Sequence, residues 1–255
     1  MIPEISIGIL GGMGPEATHY FLNLLTRLTA VSKEQDHITY LLLSNPLLPD
    51  RSKAILSKDP SLCNELIKAL QDNVLRLEKA GAKCVVIPCN TAHYFSKEIQ
   101  DVLHIPFINM ITLTANFFHT YFPQKKVGLL GTTATVQSGI YEHALSQYHI
   151  ECIKPQKEDQ ATVMHVIYEI KNQQMSADLI IRLKKMLNPI IQNLKNKGAD
   201  FIILGCTELP LVVVQAPYLI DPMEMLAIHC IQKSGKPSLK TEKSLAQFSS
   251  LNLGI

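Results

Sequence analysis

Tryptophan is absent from this 255-residue chain, and arginine occurs only four times. No stretch interleaves basic residues with aromatics, and the net charge is only +2. Together these features argue against nucleic acid or an anionic membrane surface as a partner. There is no Cys-x-x-Cys pair, no zinc-spaced His/Cys set and no His-Glu-x-x-His, so no metal is expected. The opening MIPEISIGIL lacks a basic region ahead of its apolar stretch and does not read as a signal peptide. The longest apolar region, 201–220, is interrupted by Glu208, Pro210, Gln215 and Pro217, which is unlike a membrane span. The expected location is cytoplasmic, and the six cysteines are expected to be free thiols.

What is present is apolar material, 47% of residues against 18% charged, enough to build a real core. Short apolar runs alternate with amphipathic stretches. Strands are expected at Ile5–Leu10, Ile38–Ser44, Lys83–Pro88, Phe107–Met110, Lys126–Leu130, Ile150–Ile153, Phe201–Gly205 and Tyr218–Ile220. They are rich in Val, Ile and Leu rather than alternating, as in parallel strands covered on both faces. Helical patterns cover Asn64–Ala80 and Ala177–Lys197, and each stops at a glycine. This alternation predicts an α/β fold with a mostly parallel sheet.

The chain also repeats itself. GAKCVVIPCNTA (81–92) returns as GADFIILGCTEL (198–209), so that Gly81, Ala82 and Cys89 match Gly198, Ala199 and Cys206 at one offset of 117. SIGILGGMG (6–14) resembles KVGLLGTTA (126–134), and HIPFINMITLTA resembles APYLIDPMEMLA. Three matched segments in the same order predict two similar α/β halves with pseudo-twofold symmetry and an active site in the cleft between them. The expected division is 1–112 with 215–255 as the first domain and 113–214 as the second. The tail from Lys233 reads as a surface helix or a disordered segment.

In open α/β sheets, ligands bind beyond the carboxyl ends of strands. Cys89 and Cys206 both stand there, next to expected helix starts whose amides favour a thiolate. Two thiols facing one ligand from opposite sides suit inversion of a stereocentre, one removing a proton and the other returning one. Cys63, Cys84, Cys152 and Cys230 read as small buried hydrophobes. His93, four residues past Cys89, either tunes that thiolate or is a capping or surface histidine.

The loop Gly11–Ala17, with Met13 in it, ends at a helix start able to hold an anion. It also matches a dinucleotide-binding pattern, but the second strand ends at Leu43-Ser44-Asn45 without an acidic residue for a ribose. A small carboxylate fits better. Thr132 and Thr133 occupy the mirrored loop, and Asn90, Thr91 and Thr207 flank the cysteines; each is nearly as readily a helix cap. Arg51, in a proline-rich loop, is placed to grip a carboxylate or else is simply solvated. Lys171 and Glu208 are charged candidates of similar weight.

GILGGMGPEAT, NPLLPDR, PCNTAH and LGCTELP together resemble the aspartate/glutamate racemase family, nearest its aspartate racemases, over residues 5 to about 232. The resemblance implies racemisation of a small acidic amino acid without a cofactor, by a homodimer. It implies Cys89 and Cys206 as bases on opposite faces and Arg51 as the ligand of the side-chain carboxylate, with Lys171 as a second basic ligand. It further implies that Asn90, Thr91, Thr132, Thr133 and Thr207 hold the α-carboxylate and ammonium. Met13 and Glu208 complete the expected substrate contacts. The competing readings are another racemase, isomerase or decarboxylase on the same scaffold, and a non-catalytic amino-acid-binding protein.

Overall fold

A computed structural model describes residues 6–213 and 215–253. Along the chain these form β1 (Ile7–Gly11), α1 (Pro15–Leu28), β2 (Tyr40–Ser44), α2 (Arg51–Ser57), α3 (Pro60–Lys79), β3 (Val85–Val86), α4 (Ser96–Asp101) and α5 (Met110–Tyr121). There follow β4 (Val127–Gly131), α6 (Thr133–Gln137), α7 (Ile140–Ser146), β5 (Cys152–Ile153), α8 (Lys157–Asn172), α9 (Ala177–Asn196), β6 (Phe201–Gly205), β7 (Leu219–Ile220), α10 (Pro222–Lys233) and α11 (Glu242–Leu253). The chain divides into two compact units, Met1–Met110 with Met223–Thr241, and Ile111–Pro222 with Glu242–Ile255.

The first unit holds a sheet of order β2-β1-β3 and the second a sheet of order β5-β4-β6-β7, every pairing parallel. The first three strands of each unit are wired in the same way. The chain leaves a central strand for one edge, then returns to pair on the other side of that strand. Each sheet therefore has a switch point, between β1 and β3 or between β4 and β6, where an α/β fold opens a crevice at the carboxyl ends.

The repeated Gly-Ala is the turn that feeds the second strand of each pair. Gly81 and Gly198 have φ of +99° and +95°, where a Cβ is strained. Gly81 N–H bonds to Glu78 O at 2.9 Å and Ala82 N–H to Leu77 O at 3.2 Å; Gly198 N–H bonds to Lys195 O at 2.9 Å and Ala199 N–H to Leu194 O at 3.1 Å. Both are the same left-handed helix stop, closing the last carbonyls of α3 and α9. The helices ahead of them bury matching stripes. Leu66, Leu70, Val74 and Leu77 of α3 pack into the core of the first unit. Leu183, Leu187, Ile190 and Leu194 of α9 pack into that of the second. Each such side chain contributes roughly 1.5–3 kcal/mol on burial.

Several expectations need correction. Strands β1, β4 and β6 are buried throughout, but β2 alternates, with Tyr40 and Leu42 exposed, because it is an edge strand open on one face. Phe107–Met110 is no full strand: Phe107 makes one isolated parallel bridge to Val85, and Met110 already opens α5. Residues 215–222 do not join the first unit, because β7 pairs with β6 in the second sheet. The tail forms α11 with Ala246 and Ser249 buried, and 242–253 also belongs with the second unit. Ile5, expected in the first strand, and residues 254–255 lie outside the described residues.

Candidate active site

At the end of β3 the chain turns sharply. Cys89 N–H bonds back to Ile87 O at 2.8 Å, a three-residue turn centred on Pro88, whose ring presets φ and which has no N–H to leave unpaired. Cys89 is thereby swung off the strand into the core cluster that also holds Met13. A 3-10 helix, Thr91–Phe95, follows it, not the start of an α-helix. Cys206 directly follows β6, and a second 3-10 turn, Leu209–Leu211, follows that. The expected pair of α-helical N-termini favouring thiolates is therefore not what this chain builds.

Cys206 is held as a thiol. Its Sγ donates to Glu208 Oε2 at 2.9 Å. Burial pushes its pKa well above the ordinary thiol range, and the Glu208 charge pushes the same way, opposed by the Lys171 ammonium. Glu208 is 2% exposed. Its Oε2 also accepts from Thr207 Oγ1 at 3.3 Å, while Oε1 meets Lys171 Nζ, in the last turn of α8, at 2.5 Å. Four expected site residues thus form one cluster in the second unit. Within it the Lys171 cation and the Glu208 anion face each other, whereas the sequence suggests separate substrate contacts.

His93 is buried and fits neither expected role. Its Nδ1 lies 2.9 Å from Cys89 O, and Nε2 accepts the Met110 N–H at 3.1 Å. The two bonds fix the tautomer with the proton on Nδ1. Burial lowers its pKa to about 4, against weaker opposing backbone bonds, so the ring is neutral at pH 7. It pins the cysteine loop and leaves the thiol untouched.

The loops beside each cysteine come from the central strands. In the first unit a Cβ on Gly12 would lie 2.5 Å from the Asn45 backbone carbon, so the loops after β1 and β2 touch. The Gly12 N–H is taken by Thr18 Oγ1 at 2.9 Å, so it is not available to cradle an anion. Met13 is a buried core residue. Arg51 is not in a free loop: Asp50 caps α2 by accepting from Lys53 N–H, and Arg51 is its first residue. Its Nη1 donates to Leu48 O at 3.2 Å and Pro49 O at 3.0 Å, which fixes the guanidinium plane. Asn90 and Thr91 are buried next to Cys89.

In the second unit Thr132 does cap α6, its Oγ1 accepting from Thr135 N–H at 3.0 Å. Thr133 meets two residues that the sequence reading missed. Its N–H points at Met164 Sδ at 3.3 Å, and Gln160 Nε2 donates to Gly131 O at 3.0 Å and reaches Thr133 Oγ1 at 3.4 Å. Both sit inside the ordinary amphipathic pattern of α8, which carries no local signal of this role. Among the described residues, no group of three or more His, Cys, Asp or Glu is placed to hold a metal ion, and no helix is long and apolar enough to cross a membrane.

Residues 10–230 match the family model described as Asp/Glu/hydantoin racemase. The chain belongs to the Asp/Glu/hydantoin racemase family. It is thus an isomerase of the racemase class, and its two parallel sheets are the fold of two-domain racemases. The chain is 32% identical over 234 residues to the broad specificity amino-acid racemase RacX of Bacillus subtilis, covering 89% of this chain and 95% of that one. It is similar to the structure of Picrophilus torridus aspartate racemase, with a TM-score of 0.81 and 35% identity over 94% of this chain and 99% of that one. The racemase fold extends to a glutamate racemase of Bacillus anthracis, at a TM-score of 0.60, 20% identity and coverage of 98% and 94%.

Proposed function

We propose that this racemase interconverts L- and D-aspartate without pyridoxal phosphate or metal. One cysteine removes the α-proton from one face and the other returns a proton to the opposite face. The observation that carries this reading is positional: Cys89 follows β3, which pairs beside β1, and Cys206 follows β6, which pairs beside β4, at matching places in the two sheets. Cysteine suits both halves of such an exchange, because a thiolate takes a proton and a thiol gives one. Arg51 is proposed to grip the side-chain carboxylate; with Nη1 anchored on two carbonyls, the rest of its fork is oriented for a bidentate contact. Asn90, Thr91, Thr132, Thr133 and Thr207 are proposed to hold the α-carboxylate and ammonium. The similarity to an aspartate racemase over nearly the whole chain supports this substrate. A homodimer in the cytoplasm completes the proposal.

A second reading, a racemase of wider substrate range, is favoured by the Lys171–Glu208 pair. A lysine held on a buried carboxylate exerts less pull on a substrate carboxylate than an open one. Likeness to a broad specificity enzyme points the same way. Incubation with each L-amino acid in deuterium oxide, followed by α-proton exchange and optical rotation, separates the two. The aspartate reading expects exchange and loss of rotation chiefly with aspartate; similar rates with neutral amino acids would replace it by the second reading.

A further inference from the structure

We infer that Gln160 of α8 is a positioning residue for substrate: its amide turns the Thr133 hydroxyl so that the O–H donates to the substrate α-carboxylate. The inference rests on the racemase reading above. Gly131 ends β4 in register with Gly205, the last residue of β6, so the Thr132–Thr133 loop leaves the sheet beside the loop that carries Cys206. Gln160 and Met164 lie four residues apart on one face of α8, and both reach Thr133. Of the two loop hydroxyls, that of Thr132 is spent locally: Oγ1 caps α6 and meets Thr135 Oγ1 at 2.9 Å. That of Thr133 is not.

Gln160 Nε2 donates to Gly131 O at 3.0 Å, and a carbonyl only accepts, so this bond decides which end of the amide faces the loop. The same NH2 group lies 3.4 Å from Thr133 Oγ1, where it also only donates. At that distance the contact is weak as a bond, but its polarity disfavours the hydroxyl proton on the amide side. The proton therefore points away from α8, and among the described residues it has no acceptor. Thr133 is partly exposed, so a ligand can reach it. Met164 Sδ, a weak acceptor, takes the Thr133 N–H and leaves the hydroxyl alone. A second observation ties Gln160 to this loop rather than to the core. Its Oε1 is buried and has no hydrogen-bond partner among the described residues. A buried unpaired acceptor costs stability, and an apolar side chain would avoid that cost. Local faults of this kind are kept where function needs the group.

The test is a double-mutant cycle in steady-state kinetics, with Gln160→Met, Thr133→Val and the two combined. The substrate is the L-amino acid whose α-proton the wild type exchanges fastest in deuterium oxide. A carboxylate contact made equally in ground and transition states appears in KM. Gln160→Met should therefore raise KM at least about fivefold and leave kcat within about twofold of wild type. Thr133→Val should raise KM at least as much. The double variant should be no worse than Thr133→Val, because Gln160 acts only through that hydroxyl. If circular dichroism shows Gln160→Met unfolded, Gln160→Asn takes its place under the same criteria, since its amide falls one methylene short of both partners. Wild type that exchanges the α-proton of no L-amino acid overturns the racemase reading and this inference with it. Active wild type overturns the inference alone if the Gln160 variant keeps its KM, loses chiefly kcat, or multiplies the defect of Thr133→Val, or if Thr133→Val itself leaves KM unchanged.

Discussion

His93 bridges Cys89 and Met110, accepting the Met110 amide proton on Nε2 at 3.1 Å while Nδ1 donates to Cys89 O at 2.9 Å. A neutral ring is required for both bonds. The unfolded chain binds this proton near pH 6.5 and the folded chain only near 4, so the unfolded state holds more protons in that window. Stability is therefore full above 6.5 and falls as pH drops toward 4, by up to about 3 kcal/mol. Denaturant unfolding at pH 7 and pH 4.5 should show a smaller pH-dependent loss in His93→Gln than in wild type, although the variant starts less stable at pH 7. Identical losses in the two proteins would show that His93 is not a source of acid lability.

Gly81 and Gly198 make the same turn at left-handed φ, so they should respond alike. Gly81→Ala and Gly198→Ala are each expected to destabilise their unit by about 1–2 kcal/mol, the cost of placing a Cβ in that region. Thermal unfolding of the two variants checks this. A neutral or stabilising effect in either would mean that the turn relaxes into another conformation.

Arg51 provides a test of substrate choice. Losing one charge-assisted pair in a desolvated site costs about 2–5 kcal/mol of transition-state binding. Arg51→Ala should lower kcat/KM for aspartate accordingly, with a much smaller effect on any residual turnover of alanine, which offers no side-chain carboxylate. Equal losses would make Arg51 structural, through its bonds to Leu48 and Pro49. No loss would pass the side chain to another cation.

The parts of this molecule legible in the sequence are those encoded locally. The Gly-Ala turns, the apolar strands and the stripes of α3 and α9 each depend on near neighbours, and so the repeat they form is readable. Edge exposure of β2 and the loss of the Phe107–Met110 strand are not, because an apolar run looks the same whichever element covers it. The start of α2 was legible in principle: Asp50 before Arg51 is an N-cap signal. His93 could be seen to lie near Cys89 in sequence, but its second partner is 17 residues away. Glu208 sits two residues from Cys206, yet its charge balance comes from Lys171, 37 residues upstream. Long-range pairings of this kind decide whether a charged residue faces substrate or a neighbour.

The two-base proposal is tested most directly by where deuterium goes. Starting from L-aspartate in deuterium oxide, and separately from D-aspartate, early product and recovered substrate are separated and their α-positions read by proton NMR. Two cysteines acting from opposite faces predict that newly formed product carries α-deuterium in both directions, while unconverted substrate keeps its protium. Product that retains α-protium, or recovered substrate that exchanges as fast as it inverts, would mean a single base and contradict the paired roles of Cys89 and Cys206.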